Sequence, residues 1–252
     1  MKINPYLKRI GINNMQQNNL ETLSYLQLQH MCHVPFENLD VIRHVPIPLD
    51  VETYYKKIVL NHRGGFCYEL NGLFNWLLKS LGFTTHLISA TVHQSGDSWA
   101  KEGSHATQIV ELDQPYLVDV GFGDSVRQPL PLTGEMREDI SGVYRTVKVM
   151  DNIFDLQRKD HTGEWLILYR FDIRPKQLTD FTKSCHFNQT SATSHFTQES
   201  ITTIATDDGR ITLSGNDLTI TRHGEKKKIR IRPDEKSSVL KKYFNIHLEH
   251  AD

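Results

Sequence analysis

Residues 61–74 read "NHRGGFCYELNGLF". Two glycines precede Cys67, and an amphipathic pattern follows it. Leu70, Leu73/Phe74 and Leu77/Leu78 recur at helical spacing and Gly82 stops the run, which predicts a helix from about Cys67 to Lys79. Cys67 would then open that helix. Unpaired backbone N–H groups and the positive end of the helix dipole favour a thiolate there, and the thiolate is the nucleophilic form of cysteine. The same residue reads equally well as a small buried apolar side chain.

Working outward, the N-terminal third is helical. "NNLETLSYLQLQHM" (18–31) puts Leu20, Leu23 and Leu26 along one side, with Asn19 as N-cap, and Asp50 can cap "VETYYKKIVL" (51–60). After residue 84 the period falls to two and β-formers dominate. "THLISATVH" (85–93) is a strand, and "HATQIVEL" (105–112) and "YLVDV" (116–120) flank "DQP" as a hairpin. "GVYRTVKVM", "NIFDLQR" and "WLILYRFDI" follow, then a polar link at 183–195. Four further strands, "SITTIAT", "RITLS", "DLTITR" and "KKIRIR", turn at Asp208-Gly209, Asn216-Asp217 and His223-Gly224. A final helix, "DEKSSVLKKYFNI", is capped by Asp234 or Ser237. The class is α+β, in three units: a helical domain at 1–84, a β domain at 85–188 and a mixed C-terminal unit at 189–252.

Bulk composition narrows the function. The 252 residues carry 29 Lys plus Arg against 30 Asp plus Glu, so no strong field points to nucleic acid or an anionic membrane. The basic run "EKKKIRIR" (225–232) reads as the solvated face of a strand. No stretch is apolar for long enough to span a bilayer, and the start lacks the apolar core of a signal peptide. Three cysteines, at 32, 67 and 185, make no disulfide framework, which implies a reducing, cytoplasmic setting. "HMCH" (30–33) offers His30, Cys32 and His33 as metal ligands, but no second ligand pair with zinc-like spacing accompanies it, so no metal is expected. Cys185 beside His186 reads as structural.

A nucleophile needs a base, and the base needs an orienting group. His105 opens the first strand of the hairpin, and Asp119 interrupts the apolar second strand fourteen residues later. The turn near Asp113–Pro115 returns Asp119 to the open end of the ladder, at a diagonal from His105 that an Asp–His hydrogen bond can span. Taken singly, His105 reads as a strand histidine and Asp119 as a turn-stabilising residue.

Together, "VPFENLDV" (34–41), "RGGFCYELNGLF" (63–74) and "HATQIVELDQPYLVDVGFG" (105–123) resemble the arylamine N-acetyltransferase family. "SHFTQ" (194–198), "DGRITL" (208–213) and "KKYFNIHL" (241–248) extend the resemblance over nearly the whole chain. It implies a papain/transglutaminase-like core with an N-terminal helical bundle, an antiparallel β-barrel and a C-terminal α/β lid. It implies a Cys67-His105-Asp119 triad that carries an acetyl group from acetyl-CoA to an aromatic amine or hydrazine. Arg63 and Glu37 become a structural ion pair under the cysteine loop. Phe36, Val92, Ser104 and Phe122 fall where the family lines its acceptor pocket, and Gly123 and Ser125 where it borders the coenzyme. A thiol amidase, or a transglutaminase-like acyl transferase, would use the same triad.

The chain departs from the family pattern at three places. Asp124 stands where a small residue is usual, and its carboxylate would repel a pyrophosphate. Ala192 replaces a frequent proline. The chain ends soon after "FNIHLEH", so the cleft is expected to be more open than in relatives with a longer tail.

Overall fold

A computed structural model describes residues 1–13, 17–94, 96 and 98–248; the last residues of the chain, on which the expectation of an open cleft rests, lie outside that set. Helices α1 (Ile3–Arg9), α2 (Leu20–His33), α3 (Leu39–Ile42), α4 (Val51–Tyr55) and α5 (Cys67–Ser80) come first, with the two-residue strand β1 (Phe36–Glu37) between α2 and α3. The two caps expected in this N-terminal part are present. Asn19 Oδ1 accepts from Thr22 N at 2.9 Å, and Asp50 Oδ2 accepts from Thr53 N at 2.8 Å. Beyond α4 the chain widens into one π-helical stretch, Lys56–Leu60.

Helix α5 is the centre of the molecule. Its apolar stripe is buried, and so are its polar residues Glu69, Asn71 and Asn75. A helix enclosed on every side needs a partner for each polar group it carries. Those partners build the site described below.

Strands β2 (Thr84–Val92), β3 (His105–Glu111), β4 (Pro115–Val118), β5 (Leu130–Pro131), β6 (Arg137–Asp139), β7 (Gly142–Met150), β8 (Ile153–Lys159) and β9 (Trp165–Lys176) form one antiparallel sheet in the order β5-β4-β3-β2-β9-β8-β7-β6. It curls until its two ends nearly meet, and Thr146 Oγ1 of β7 donates to Pro131 O of β5 at 2.8 Å. The result is a nearly closed barrel whose β2–β3 side packs on α5.

The polar link expected at 183–195 is instead mostly helical: α6 (Thr182–Thr190) and α7 (His195–Gln198). Its composition hides this, because only Ser184, Cys185 and Asn188 of α6 are buried. Tertiary contacts, not an apolar stripe, hold it. Strands β10 (Ile201–Thr206), β11 (Gly209–Ser214), β12 (Asp217–Arg222) and β13 (Glu225–Arg230) then form an antiparallel meander, followed by α8 (Lys236–Phe244). His223 (φ 46) and Gly224 (φ 84) both adopt the left-handed conformation that a tight two-residue hairpin requires. Neither Asp234 nor Ser237 caps the last helix. A 3-10 turn, Pro233–Glu235, precedes it, and Glu235 Oε2 accepts from Arg232 N at 2.8 Å.

One face of this second sheet is apolar. Ile204, Leu213 and Leu218 pack against Val239, Leu240 and Phe244 of α8. Its free edge is taken by β1, with Phe36 opposite Thr203 and Glu37 opposite Thr202. The fold is α+β, with a helical core carrying Cys67, a barrel carrying His105 and Asp119, and a C-terminal sheet–helix layer.

Candidate active site

Two glycines let the Cys67 loop fold tightly. A Cβ on Gly64 would lie 2.1 Å from Pro35 O, and one on Gly65 would lie 2.8 Å from Glu69 Cβ. Below the loop is a buried ionic cluster. Arg63 Nη2 reaches Glu37 Oε1 at 2.7 Å and Asp40 Oδ1 at 2.9 Å. Lys57 Nζ reaches Asp40 Oδ2 at 2.7 Å and Glu69 Oε1 at 2.9 Å. The Arg63–Glu37 pair expected from sequence is therefore one edge of a cluster of two cations and three carboxylates. Glu69 closes it onto the helix start, where Oε2 accepts from Phe66 N at 3.0 Å. Burial pushes the Glu69 carboxyl up to about 7 against the pull of Lys57.

Cys67 occupies the first turn of α5, buried, with Sγ 3.9 Å from Ser104 O. His105 begins β3 two strands from the barrel edge, and Asp119 follows directly on β4. The register pairs Gln108 with Val118, which sets His105 diagonal to Asp119. His105 Nε2 lies 2.7 Å from Asp119 Oδ2, leaving Nδ1 for the thiol. Burial favours the neutral ring. The Asp119 charge, their shared hydrogen bond and a hydrogen bond with Cys67 outweigh it and raise the His105 pKa.

Asp119 is held on all sides. Oδ1 accepts from Asn71 Nδ2 at 2.9 Å and from Gly121 N at 2.8 Å, and Oδ2 also accepts from the Tyr169 hydroxyl at 2.8 Å. Burial works against the ionised form, but His105 and these donors keep the carboxyl below its usual range. Asn71 is the joint of this arrangement. It sits one turn after Cys67, donates to Ala106 O at 2.7 Å and accepts from Val120 N at 3.0 Å. It thereby fixes the helix, the His105 strand and the Asp119 loop to one another. The i, i+4 spacing from Cys67 places it on the same helix face.

Gly121 stands against the cysteine helix. A Cβ there would come within 2.6 Å of Asn71 Nδ2 and 2.9 Å of Cys67 Cα, so it makes room for the cysteine helix rather than for a ligand. Helix α6 also reaches the site. Asn188 Nδ2 donates to Ser104 O at 3.2 Å and to the Tyr68 hydroxyl at 3.2 Å. Tyr169, Asn188 and Tyr68 carry no sequence signal of this role; only Asn71, four residues past the cysteine, could have been singled out.

Cys67 and His105 open into a cavity of about 870 Å³. Phe36, Val92, Ser104, Phe122 and Gly123 all line it, together with Trp99, Phe187 and Phe196. Phe122 stands edge-on to His105, with ring centroids 5.4 Å apart. The Ser104 hydroxyl accepts from Val92 N at 3.1 Å and so ties the strand to the loop. Ser125 is placed elsewhere: it is fully buried and absent from the cavity wall, and Ser141 Oγ donates to its carbonyl.

Asp124 lines the cavity without a bare charge. Oδ2 accepts from Arg158 Nη1 at 3.0 Å, and Oδ1 lies 3.1 Å from Arg210 Nε. Protein crowds this carboxylate, yet 55% of its side chain faces open space. Burial opposes its ionisation, but Arg210 and then Arg158 hold it below the usual carboxylate range.

The three residues of "HMCH" do not converge. His30 is enclosed between the rings of Tyr6 and Phe74, while His33 is exposed and its Nδ1 lies 2.9 Å from Gln29 O. Among the described residues, no group of three or more His, Cys, Asp or Glu side chains could hold a metal ion, and no helix is long and apolar enough to cross a membrane.

Fold and site together define an acyltransferase built on a papain-like core. The N-acetyltransferase family model matches residues 19–252, and the chain belongs to the arylamine N-acetyltransferase family. Among curated relatives, it is 32% identical over 195 residues to arylamine N-acetyltransferase of Escherichia coli (strain K12), covering 75% of this chain and 69% of that one. It is 34% identical over 194 residues to the Mycolicibacterium smegmatis protein of the same name, covering 71% and 68%. Among solved structures, an arylamine N-acetyltransferase from Bacillus cereus, described as having a Cys-His-Glu catalytic triad, superposes with TM-score 0.91 at 28% identity over 98% of this chain and all of its own. The Mycobacterium marinum enzyme in complex with CoA superposes with TM-score 0.89 at 31% identity, covering 97% and 93%.

Proposed function

We propose that this protein transfers acetyl groups from acetyl-CoA to aromatic amines and hydrazines, through an acetyl-Cys67 intermediate. The observation that carries the reading is the Cys67-His105-Asp119 chain at the foot of an aromatic-lined cavity. With Asp119 behind it, His105 holds the proton of Cys67 and leaves a thiolate. The thiolate attacks the thioester carbonyl. The first N–H groups of α5 have no acceptor within the helix, and they supply positive dipoles for the oxyanion. The Cys67 Sγ–acyl bond forms, the bond to the CoA sulfur breaks, and the proton passes from His105 to the departing thiolate.

A second substrate then enters. Arylamines are neutral at pH 7, so a slot walled by Phe36, Val92 and Phe122 needs no counter-charge for them. The amine nitrogen attacks the acyl carbon, its proton moves to His105, and the Sγ–acyl bond breaks to restore the thiolate–imidazolium pair. Gly123 borders the same cavity and suits close approach of the donor (φ 88). We place the chain in the cytoplasm, where a free Cys67 stays reduced.

Intact-mass measurement after incubation with acetyl-CoA tests the transfer. Wild type should gain one acetyl group and Cys67→Ala none, and added arylamine should discharge the adduct as acetylarylamine. An equal adduct on both proteins, or none on wild type, defeats the proposal. Discharge to water alone would favour an amidase. Acceptor selectivity should respond to substitution of Phe36, Val92 or Phe122.

A further inference from the structure

The C-terminal sheet turns its second face to the cavity, and that face is polar and cationic. Strand pairing sets Arg210 opposite Thr221 and Thr221 opposite Lys226, so the three form one row across β11, β12 and β13. Thr212 and Thr219 form the next row. All five line the cavity, and the second row continues through Thr203 to Phe36 at the edge of the aromatic slot. Hydroxyls and cations in adjacent rows suit an oxyanion.

Arg210 is the unusual member. Its side chain is 11% exposed, and Nη1 donates to Thr203 Oγ1 at 3.1 Å. Among the described residues, buried Nε and Nη2 have no acceptor in hydrogen-bond geometry, although Asp124 Oδ1 lies 3.1 Å from Nε as an ion-pair partner. A buried guanidinium with unused donors is costly unless an anion meets it. Asp124 meets it incompletely, from an exposed loop position after Gly123 and with its other oxygen drawn to Arg158.

We propose that Asp124 is a built-in stand-in for phosphate: it occupies an anion subsite formed by Arg210, Arg158 and Lys226, and a phosphate-bearing acyl donor displaces it. The inference rests on the donor reading above. Asp124 swings into the open cavity, the guanidinium donors of Arg210 pass to phosphate oxygens, and Arg158 stays with either partner. The carboxylate thus sets donor affinity by competition. It weakens binding of the spent donor and favours its release.

Titration calorimetry with inorganic pyrophosphate, CoA and pantetheine tests this on wild type, Asp124→Asn and Asp124→Ser. Circular dichroism and melting temperature check the fold, and the serine variant serves if the asparagine one fails to fold. Removing one competing charge near the site should tighten pyrophosphate and CoA about tenfold. Pantetheine, which carries no phosphate, should be unaffected. Lys226→Gln, at an exposed position, should weaken CoA and flatten its salt dependence. The proposal is overturned if neither Asp124 variant tightens pyrophosphate, or if pantetheine tightens as much as CoA. If pyrophosphate tightens while wild type neither binds CoA nor takes acetyl on Cys67, the anion subsite stands and the coenzyme reading falls.

Discussion

His30 offers a test of the core by acid. It is completely buried on α2, both ring nitrogens lack hydrogen-bond partners among the described residues, and it is wedged between Tyr6 and Phe74. Burial, reinforced by Arg9 and then His33, lowers its pKa to about 3. The unfolded chain binds the proton near 6.5, so between these values the unfolded state holds more protons and stability falls as pH falls. From pH 7 to pH 5 the expected loss from this residue is about 2 kcal/mol, and it stays near that figure for any folded value below about 4. His30→Leu removes the titrating group at similar volume. Urea unfolding of both proteins at the two pH values isolates the difference, because the other titrating groups cancel. With a slope near 3 kcal/mol/M, the wild-type midpoint should drop by about 0.7 M more than that of the variant. Equal drops would refute the assignment of His30 as a buried neutral ring.

Other substitutions probe the site frame. Asn71→Ala breaks its bonds to Asp119, Ala106 and Val120 and should cost about 2–4 kcal/mol, read as a lower melting temperature, with a fall in Cys67 acylation rate. Lys57→Met leaves Glu37, Asp40 and Glu69 short of a cation and should destabilise by about 3–5 kcal/mol at pH 7, less at pH 5 where the Glu69 carboxyl is protonated. Gly121→Ala must shift Asn71 or the Cys67 helix and should slow acylation more than it lowers the melting temperature. Tyr169→Phe takes one of four donors from Asp119 and should narrow the pH range over which acylation holds its plateau, with no change in fold by circular dichroism.

What could be read from the residues alone follows from range. The Cys67 helix, the hairpin that brings Asp119 diagonal to His105, and the caps at Asn19 and Asp50 are written in local pattern. The helix α6 is not, because its polar surface carries no period and its stability comes from Cys185 and Asn188 seated against distant parts of the chain. Strand β1 is two residues long and is defined by partners far away in the chain, β10 on one side and Gly65 on the other. The run at 225–232 was legible as a solvated strand, but Lys226 lines the cavity, and only pairing to β12 shows which face it takes. Asp124 read as a repulsive charge because its arginines, Arg158 and Arg210, lie on other strands.

The pairing of β1 with β10 bears on how the protein is made. Phe36, a wall of the cavity, leaves the ribosome early, while the strand that fixes it, Ile201–Thr206, comes in the last quarter of the chain. Until then β1 has its bridge to Gly65 but lacks β10, and one wall of the cavity is missing. Chains tend to fold as they emerge, so helices and barrel can be in place while the cavity still lacks its C-terminal wall. Synthesis itself thus orders the events: the wall formed by the C-terminal sheet closes the cavity last.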